Sequence, residues 1–396
     1  MALKFVNSTY VLQESLEKVI EKHKPNCLVA DMFLPFATDV AAKFNIPRLV
    51  FHGTSYFSQC LMHAIFKYEP HKQVLSDEEE FVIPHFPHEI KFITSQLHPS
   101  MRGLGDKQIN DEMMKILSLA KDAEERSFGF IINSFYELEP DYAEYYTKVM
   151  GRRAWHIGPV SLCNHGKEAK FQRGKDSSIS EHECLEWLNT KKARSVVYIS
   201  HGSLVEASTL QLEEIAMGLE ASKQDFIWVV RTNNKVNGDE EVKNEWLLHE
   251  FEKRMEGKGL IIRGWAPQML ILDHEAIGAF VTHCGWNSTL EGMSCGVPMV
   301  TWPVFAEQFC NEKYITSILN TGVGVGAKQH NRVMEGNVKR EDIKEAIRKV
   351  MVGEEALEMR IRAKKLKDLA TVAFEVGGSS YCNMQSLMHE LSSYNT

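Results

Sequence analysis

The chain has 396 residues, 44% of them hydrophobic and 25% charged, with a formal net charge of −8. That composition suits a globular protein of about two domains, each able to bury a core. The acidic balance disfavours nucleic acid and anionic membrane as partners, since both select a basic face. No apolar run is long enough to span a bilayer, and the start, MALKFVNSTY, lacks the basic and apolar regions of a secretory signal. Eight cysteines are scattered without a C-x-x-C pair, which predicts reduced thiols in a cytoplasmic protein. His85 and His88 in IPHFPHE are flanked by prolines and lack further ligands at metal spacing, so no metal site is expected.

In chain order, Val11, Leu12, Leu16, Val19 and Ile20 share one face of a helix predicted over Ser8–His23 and stopped by Pro25. Cys27–Ala30 reads as a strand ending at Asp31, Leu34–Phe44 as a helix, Arg48–His52 as a strand and Tyr56–Phe66 as a helix. The polar, proline-containing stretch Tyr68–Gly105 is expected to be irregular and to line a pocket. Helix Asp106–Arg126, strand Phe128–Asn133, helix Leu138–Val149 and strand Trp155–Ile157 complete a first half. Leu162–Ser180 is polar and aperiodic, as a linker would be.

The second half alternates again. Strand Ser195–Ile199 leads into SHGS, followed by helix Thr209–Ala221, strand Phe226–Val230, an acidic loop around Asn233–Glu241, helix Trp246–Met255 and strand Leu260–Ile262. Beyond a motif-rich window come strand Val323–Ala327, a polar loop near His330, and helices Arg340–Met351, Glu355–Glu375 and Ser379–Ser392. Strand and helix in alternation predict parallel sheets covered on both faces. Gly322, Gly324 and Gly326 do not open a helix, so the dinucleotide fingerprint is absent and an NAD-dependent oxidoreductase is disfavoured.

The window is Trp265–Gln308, WAPQMLILDHEAIGAFVTHCGWNSTLEGMSCGVPMVTWPVFAEQ. Ile277–Val281 is a buried strand by composition, and His283 falls at its carboxyl end. Gly285 permits a close backbone approach, and Asn287 and Ser288 suit a helix start, in outline an anion site. The same residues also read as a capping box, Ser288 with Glu291 three positions on.

Across its whole length this window resembles the signature box of the plant UDP-dependent glycosyltransferases. The resemblance implies an α/β, GT-B fold of two facing Rossmann-like parallel-sheet domains and an inverting transfer of glucose from UDP-glucose to a hydroxyl of a plant small molecule such as a flavonoid, another phenolic or a triterpenoid. It implies a uracil platform at Trp265, Ala266 and Gln268 and ribose contact by Glu291. Diphosphate contacts fall to His283, Asn287, Ser288 and Ser203, and sugar contacts to Trp286, Glu307 and Gln308. Gln308 looks like a preference for glucose over galactose. His201 departs from the family, which usually carries Phe there, and reads as a tolerated substitution. No cofactor or metal, and no partner beyond donor and acceptor, is expected of what should be a monomer. The expected division is an acceptor-binding domain over 1–161, a linker over 162–180, a UDP-sugar domain over 181–377, and a terminal helix over 378–396 returning to the first domain.

Asp31 matches the acidic partner of the family's base histidine, but no position here matches that histidine; neither His23 nor His52 does. The resemblance therefore implies a chain lacking an N-terminal segment, the opening strand–helix–strand and a little more, roughly 30 residues per such unit. A chain so composed is expected to express poorly or to bind UDP without efficient transfer. A non-catalytic UDP-sugar-binding relative is the alternative.

Overall fold

The computed structural model describes residues 8–102, 107–163, 166–171, 177–230 and 247–394. The expected acidic loop around Asn233–Glu241 and part of the expected linker lie outside these. The first sheet holds β1 (Leu28–Asp31), β2 (Arg48–His52), β3 (Gly129–Ile132) and β4 (Ala154–His156), all parallel in the order β1-β2-β3-β4. Helices α1 (Gln13–His23), α2 (Phe36–Lys43), α3 (Tyr56–Tyr68), α4 (Lys107–Glu125) and α5 (Pro140–Lys148) accompany them. The stretch read as irregular contains an antiparallel ribbon, Glu80–Val82 with Lys91–Ile93. It helps line a small cavity with residues 328–331 instead of the main cleft.

The second sheet holds β5 (Val196–Ser200), β6 (Asp225–Val230), β7 (Gly259–Arg263), β8 (Ile277–Thr282), β9 (Met299–Thr301) and β10 (Gly322–Gly324). Its order is β7-β6-β5-β8-β9-β10, parallel throughout. Every residue of β5 and β8 is buried, as central strands covered on both faces require, and their sequences VVYIS and IGAFVT are apolar runs without alternation. Around this sheet lie α6 (Glu181–Asn189), α7 (Thr209–Ser222), α8 (247–254), α9 (Gln268–Leu272), α10 (Trp286–Cys295), α11 (Gln308–Lys313), α12 (Arg340–Val352) and α13 (Ala356–Phe374). The predicted strand Val323–Ala327 is shorter and earlier, because Gly322–Gly324 is the part that reaches β9. A Cβ at Gly322 would come within 2.5 Å of the Met299 carbonyl, so these glycines serve close strand packing.

The final helix, α14 (Ser379–Tyr394), returns to the first sheet. Leu387 and Leu391 pack with Leu49, Ile131 and Trp155, and the Ser380 hydroxyl donates to the Gly158 carbonyl. Apolar packing also runs without a break from one sheet's layers to the other's. Phe57 on α3 and Tyr142 on α5 lie 4.8 and 5.8 Å from the ring of Tyr314, whose hydroxyl donates to the Leu138 carbonyl at 2.5 Å. His52 is occupied under the first sheet, its Nε2 2.8 Å from Glu124 Oε1.

Glu139 is the fully buried carboxylate of this joint. It accepts from the Phe57 amide at 2.7 Å, the Tyr56 amide at 3.3 Å and the Ser134 hydroxyl at 2.5 Å, and so closes the amino end of α3 from a distant loop. Burial outweighs those hydrogen bonds and pushes its pKa up to about 7; burial raises Glu312 to about 7 as well. An unfolded glutamate titrates near 4.3, so between about 4.3 and 7 the folded state holds protons that the unfolded state has released. Stability from these two groups is full below the unfolded value and falls as pH rises towards 7. Glu139→Gln should therefore flatten the pH dependence of the denaturant midpoint over that window, removing a slope worth about 1–3 kcal/mol. A variant curve parallel to the parent would contradict this.

Candidate active site

Read from its first strand, the second sheet has the order 3-2-1-4-5-6, which reverses direction between β5 and β8. Open parallel sheets bind ligands in the crevice beyond the carboxyl ends of the strands at such a point. The loop leaving β5 carries His201, Gly202 and Ser203, and the one leaving β8 carries His283, Cys284 and Gly285 before α10 begins.

The turn after β8 is tightly determined. Cys284, not Gly285, takes the left-handed conformation, with φ 64°. The Thr282 hydroxyl accepts the Cys284 amide at 3.2 Å, while Asn311 Nδ2 donates to the Cys284 carbonyl at 2.9 Å. The glycines serve the imidazole. A Cβ built on Gly202 would stand 2.5 Å from the His283 ring, and one on Gly285 2.5 Å from its Nε2. The ring is held between two bare backbones, and its Nδ1 is buried without a hydrogen-bond partner among the described residues. Burial pushes His283 down to about 4 and, with the neighbouring His283 adding to it, His201 down to about 3. Both are neutral near pH 7, each offering one N–H and one lone pair. The His201 ring packs edge-on against Trp302 at 5.1 Å.

The helix start differs from the capping-box reading. Gly285 is the N-cap of α10 and provides no side-chain cap; Ser288 is already in the third helical position. Its hydroxyl instead accepts from Gln268 Nε2 at 3.1 Å, and the same nitrogen donates to Glu291 Oε2 at 2.7 Å. Gln268 Oε1 accepts the Tyr198 hydroxyl at 3.3 Å, which ties this end of the site to β5. With no side-chain cap from Gly285, the start of α10, at the positive end of the helix dipole, can bind an anion. Glu307, its carboxyl pKa raised by burial, accepts the Trp286 amide.

A cavity of about 750 Å³ joins these groups, a volume typical of small-molecule sites. Ser203, Trp265, Ala266, Gln268, His283, Trp286, Asn287, Ser288, Glu291, Glu307 and Gln308 all line it, and Gly53 adds a wall from the first half. Gln308 is 4% exposed; its Oε1 accepts the Val304 and Phe305 amides at 2.9 and 3.0 Å, leaving its Nε2 as the polar end free of that loop. Trp286 is 1% exposed and its indole N–H donates to the Asn133 carbonyl at 2.7 Å, so the ring anchors one half of the chain to the other. Asp31 is not part of the lining. It sits exposed at the end of β1, accepting from the Phe33 amide at 2.8 Å, and no described histidine hydrogen-bonds it. Sequence reading missed Asn133, Asn311 and Lys170, which also lines the cavity; their partners are too far along the chain for any local pattern to reveal.

A sheet of this order facing a second parallel sheet, with an anion-binding helix start at its switch point, has the architecture of a GT-B nucleotide-sugar transferase. Residues 167–366 match the model of the family described as UDP-glucoronosyl and UDP-glucosyl transferase. The chain is 55% identical to the scopoletin glucosyltransferase of Nicotiana tabacum, across 99% of this chain and 80% of that protein. It is likewise 55% identical to UDP-glucose flavonoid 3-O-glucosyltransferase 7 of Fragaria ananassa, across 98% and 79%. The crystal structure of Glycyrrhiza uralensis UGT73P12 complexed with glycyrrhetinic acid 3-O-monoglucuronide superposes with a TM-score of 0.90 at 40% identity, covering 99% of this chain and 78% of that one. The chain belongs to the UDP-glycosyltransferase family of plants.

The two glycines that frame His283 give a direct test. Gly285→Ala should displace the imidazole and lower kcat/KM for the UDP-sugar about 10²-fold, as ångström-scale misplacement does, with an unfolding midpoint close to the parent's. Unchanged kinetics would show that the ring position is unimportant.

Proposed function

We propose that the chain transfers glucose from UDP-glucose to a hydroxyl of a plant small molecule, a flavonoid, another phenolic or a triterpenoid, with inversion at the anomeric carbon. The observation that carries this reading is the meeting of the donor-site candidates on one cavity at the switch point of the second sheet. The relatives named for scopoletin, flavonoid and anthocyanin glucosylation support the acceptor class.

In this reading the uracil stacks on Trp265 beside Ala266 and Gln268, and Glu291 accepts from the ribose hydroxyls. The diphosphate lies on the first-turn amides of α10 around Asn287 and Ser288, with His283 on one side and Ser203 on the other. Fixed N–H groups and the helix dipole stabilise the charge gathering on departing UDP, so the chemistry calls on no metal. Gln308, its carbonyl oxygen held by the loop amides, donates through Nε2 to a sugar hydroxyl, and Glu307 accepts from another. Trp286 backs this end as a buried anchor. The acceptor oxygen bonds to the anomeric carbon as the bond to UDP breaks on the opposite face, and its proton passes to a base. Asp31 would be the partner of a histidine base that no position of this sequence matches; general-base catalysis contributes about 10²–10⁴-fold.

Residues 1–161 would bind the acceptor, 162–180 connect, 181–377 hold the donor, and 378–396 tie the halves together. The protein would act as a cytoplasmic monomer. Among the described residues no helix is long and apolar enough to cross a membrane.

Binding and turnover test separate parts of this reading. UDP should bind by calorimetry whether or not the base is in place, and the product with a phenolic acceptor should carry a β-linked glucose by proton NMR. Absence of UDP binding would overturn the donor site; an α-linked product would overturn inversion. Gln308→His loses the acceptor geometry that serves two loop amides, so it should lower the rate with UDP-glucose relative to UDP-galactose. An unchanged donor ratio would remove Gln308 from sugar selection.

A further inference from the structure

The segment expected to be only a linker grips the base end of the donor site. The Ser178 amide donates to the Trp265 carbonyl at 2.8 Å, and the Trp265 amide donates back to the Ser178 hydroxyl at 2.9 Å. The Ser177 hydroxyl also donates to the Trp265 carbonyl, at 3.3 Å. Both main-chain groups of Trp265 are therefore fixed by residues 87 and 88 positions earlier.

The fit is close. Gly264 has φ 118°, and a Cβ on it would stand 2.2 Å from Ser178 Oγ, so only glycine permits this approach. Ile179 is buried in the main core and holds the segment down. Upstream, Lys170 of the short helix Lys167–Phe171 lines the cavity and pairs with Asp273 at 2.6 Å, immediately after α9. The stretch Trp265–Asp273, which carries Trp265, Ala266 and Gln268, is held at its start by Ser178 and at its end by Lys170.

We propose that Ser178 is a positioning residue for the nucleotide base: through its paired hydrogen bonds to the main chain of Trp265 it sets the plane of the indole on which uracil stacks. The inference rests on the donor-site reading given above. Ser178 is solvent-exposed, so its hydroxyl contributes little to the core, and its removal should be felt in nucleotide affinity before it is felt in folding.

The test compares Ser178→Ala and Ser178→Thr with the parent chain, using UDP as the calorimetric ligand and UDP-glucose as the kinetic one. Ser178→Ala should weaken UDP binding and raise the donor KM about 3- to 10-fold, the value of one hydrogen bond. The change in kcat should be smaller, with the unfolding midpoint held. Ser178→Thr, which keeps the acceptor oxygen, should restore affinity. Equal UDP affinity for parent and Ser178→Ala would overturn the proposal, as would a loss that Thr fails to rescue or that tracks a lowered midpoint. A parent that binds no UDP would instead overturn the donor-site reading on which it stands.

Discussion

The site depends on the four-residue turn from Thr282 to Gly285, and that turn is held from both halves of the molecule. Asn311 is the joint. Its Nδ2 fixes the Cys284 carbonyl while its Oδ1 accepts the Ser55 hydroxyl at 3.2 Å, from the residue that caps α3. Glu139 fastens the same end of α3 through two amides. A left-handed Cys284 turns the chain sharply enough for α10 to start facing the cleft, and two glycines leave room for one imidazole. Displacing any of these would move the helix start, the ring and the cavity together, because buried packing on every side leaves no slack.

The electrostatics explain how a chain of net charge −8 can receive a dianionic nucleotide. In the proposed donor site the groups that would face the diphosphate are backbone N–H groups, a hydroxyl and an imidazole that burial keeps neutral. Attraction there would come from the local dipole of α10, which is indifferent to the protein's total charge.

The alternation of strands and helices was legible because central parallel strands are continuous apolar runs and their helices carry a regular stripe. β5 and β8 illustrate this: both are wholly buried and were found nearly to the residue. Residues of the box were legible as site candidates because Trp265–Gln308 resembles the family's signature across its whole length. What escaped was whatever depends on contacts across the chain. The capping box was misread because Ser288 and Glu291 meet Gln268, and only the folded sheet brings Gln268 beside them. Trp286 is a sugar contact by resemblance alone, and nothing in the sequence showed that its indole N–H is committed to Asn133 in the other half. Ser178 sat in a polar, aperiodic stretch that offered no signal at all.

Where the diphosphate lies decides whether the start of α10 is the donor site. A crystal structure of the chain with UDP tests this most directly. It should show the uracil stacked on Trp265 and the β-phosphate within hydrogen-bonding distance of the first-turn amides of α10 and of His283. A diphosphate bound away from that helix start, or a base stacked elsewhere than on Trp265, would contradict the account.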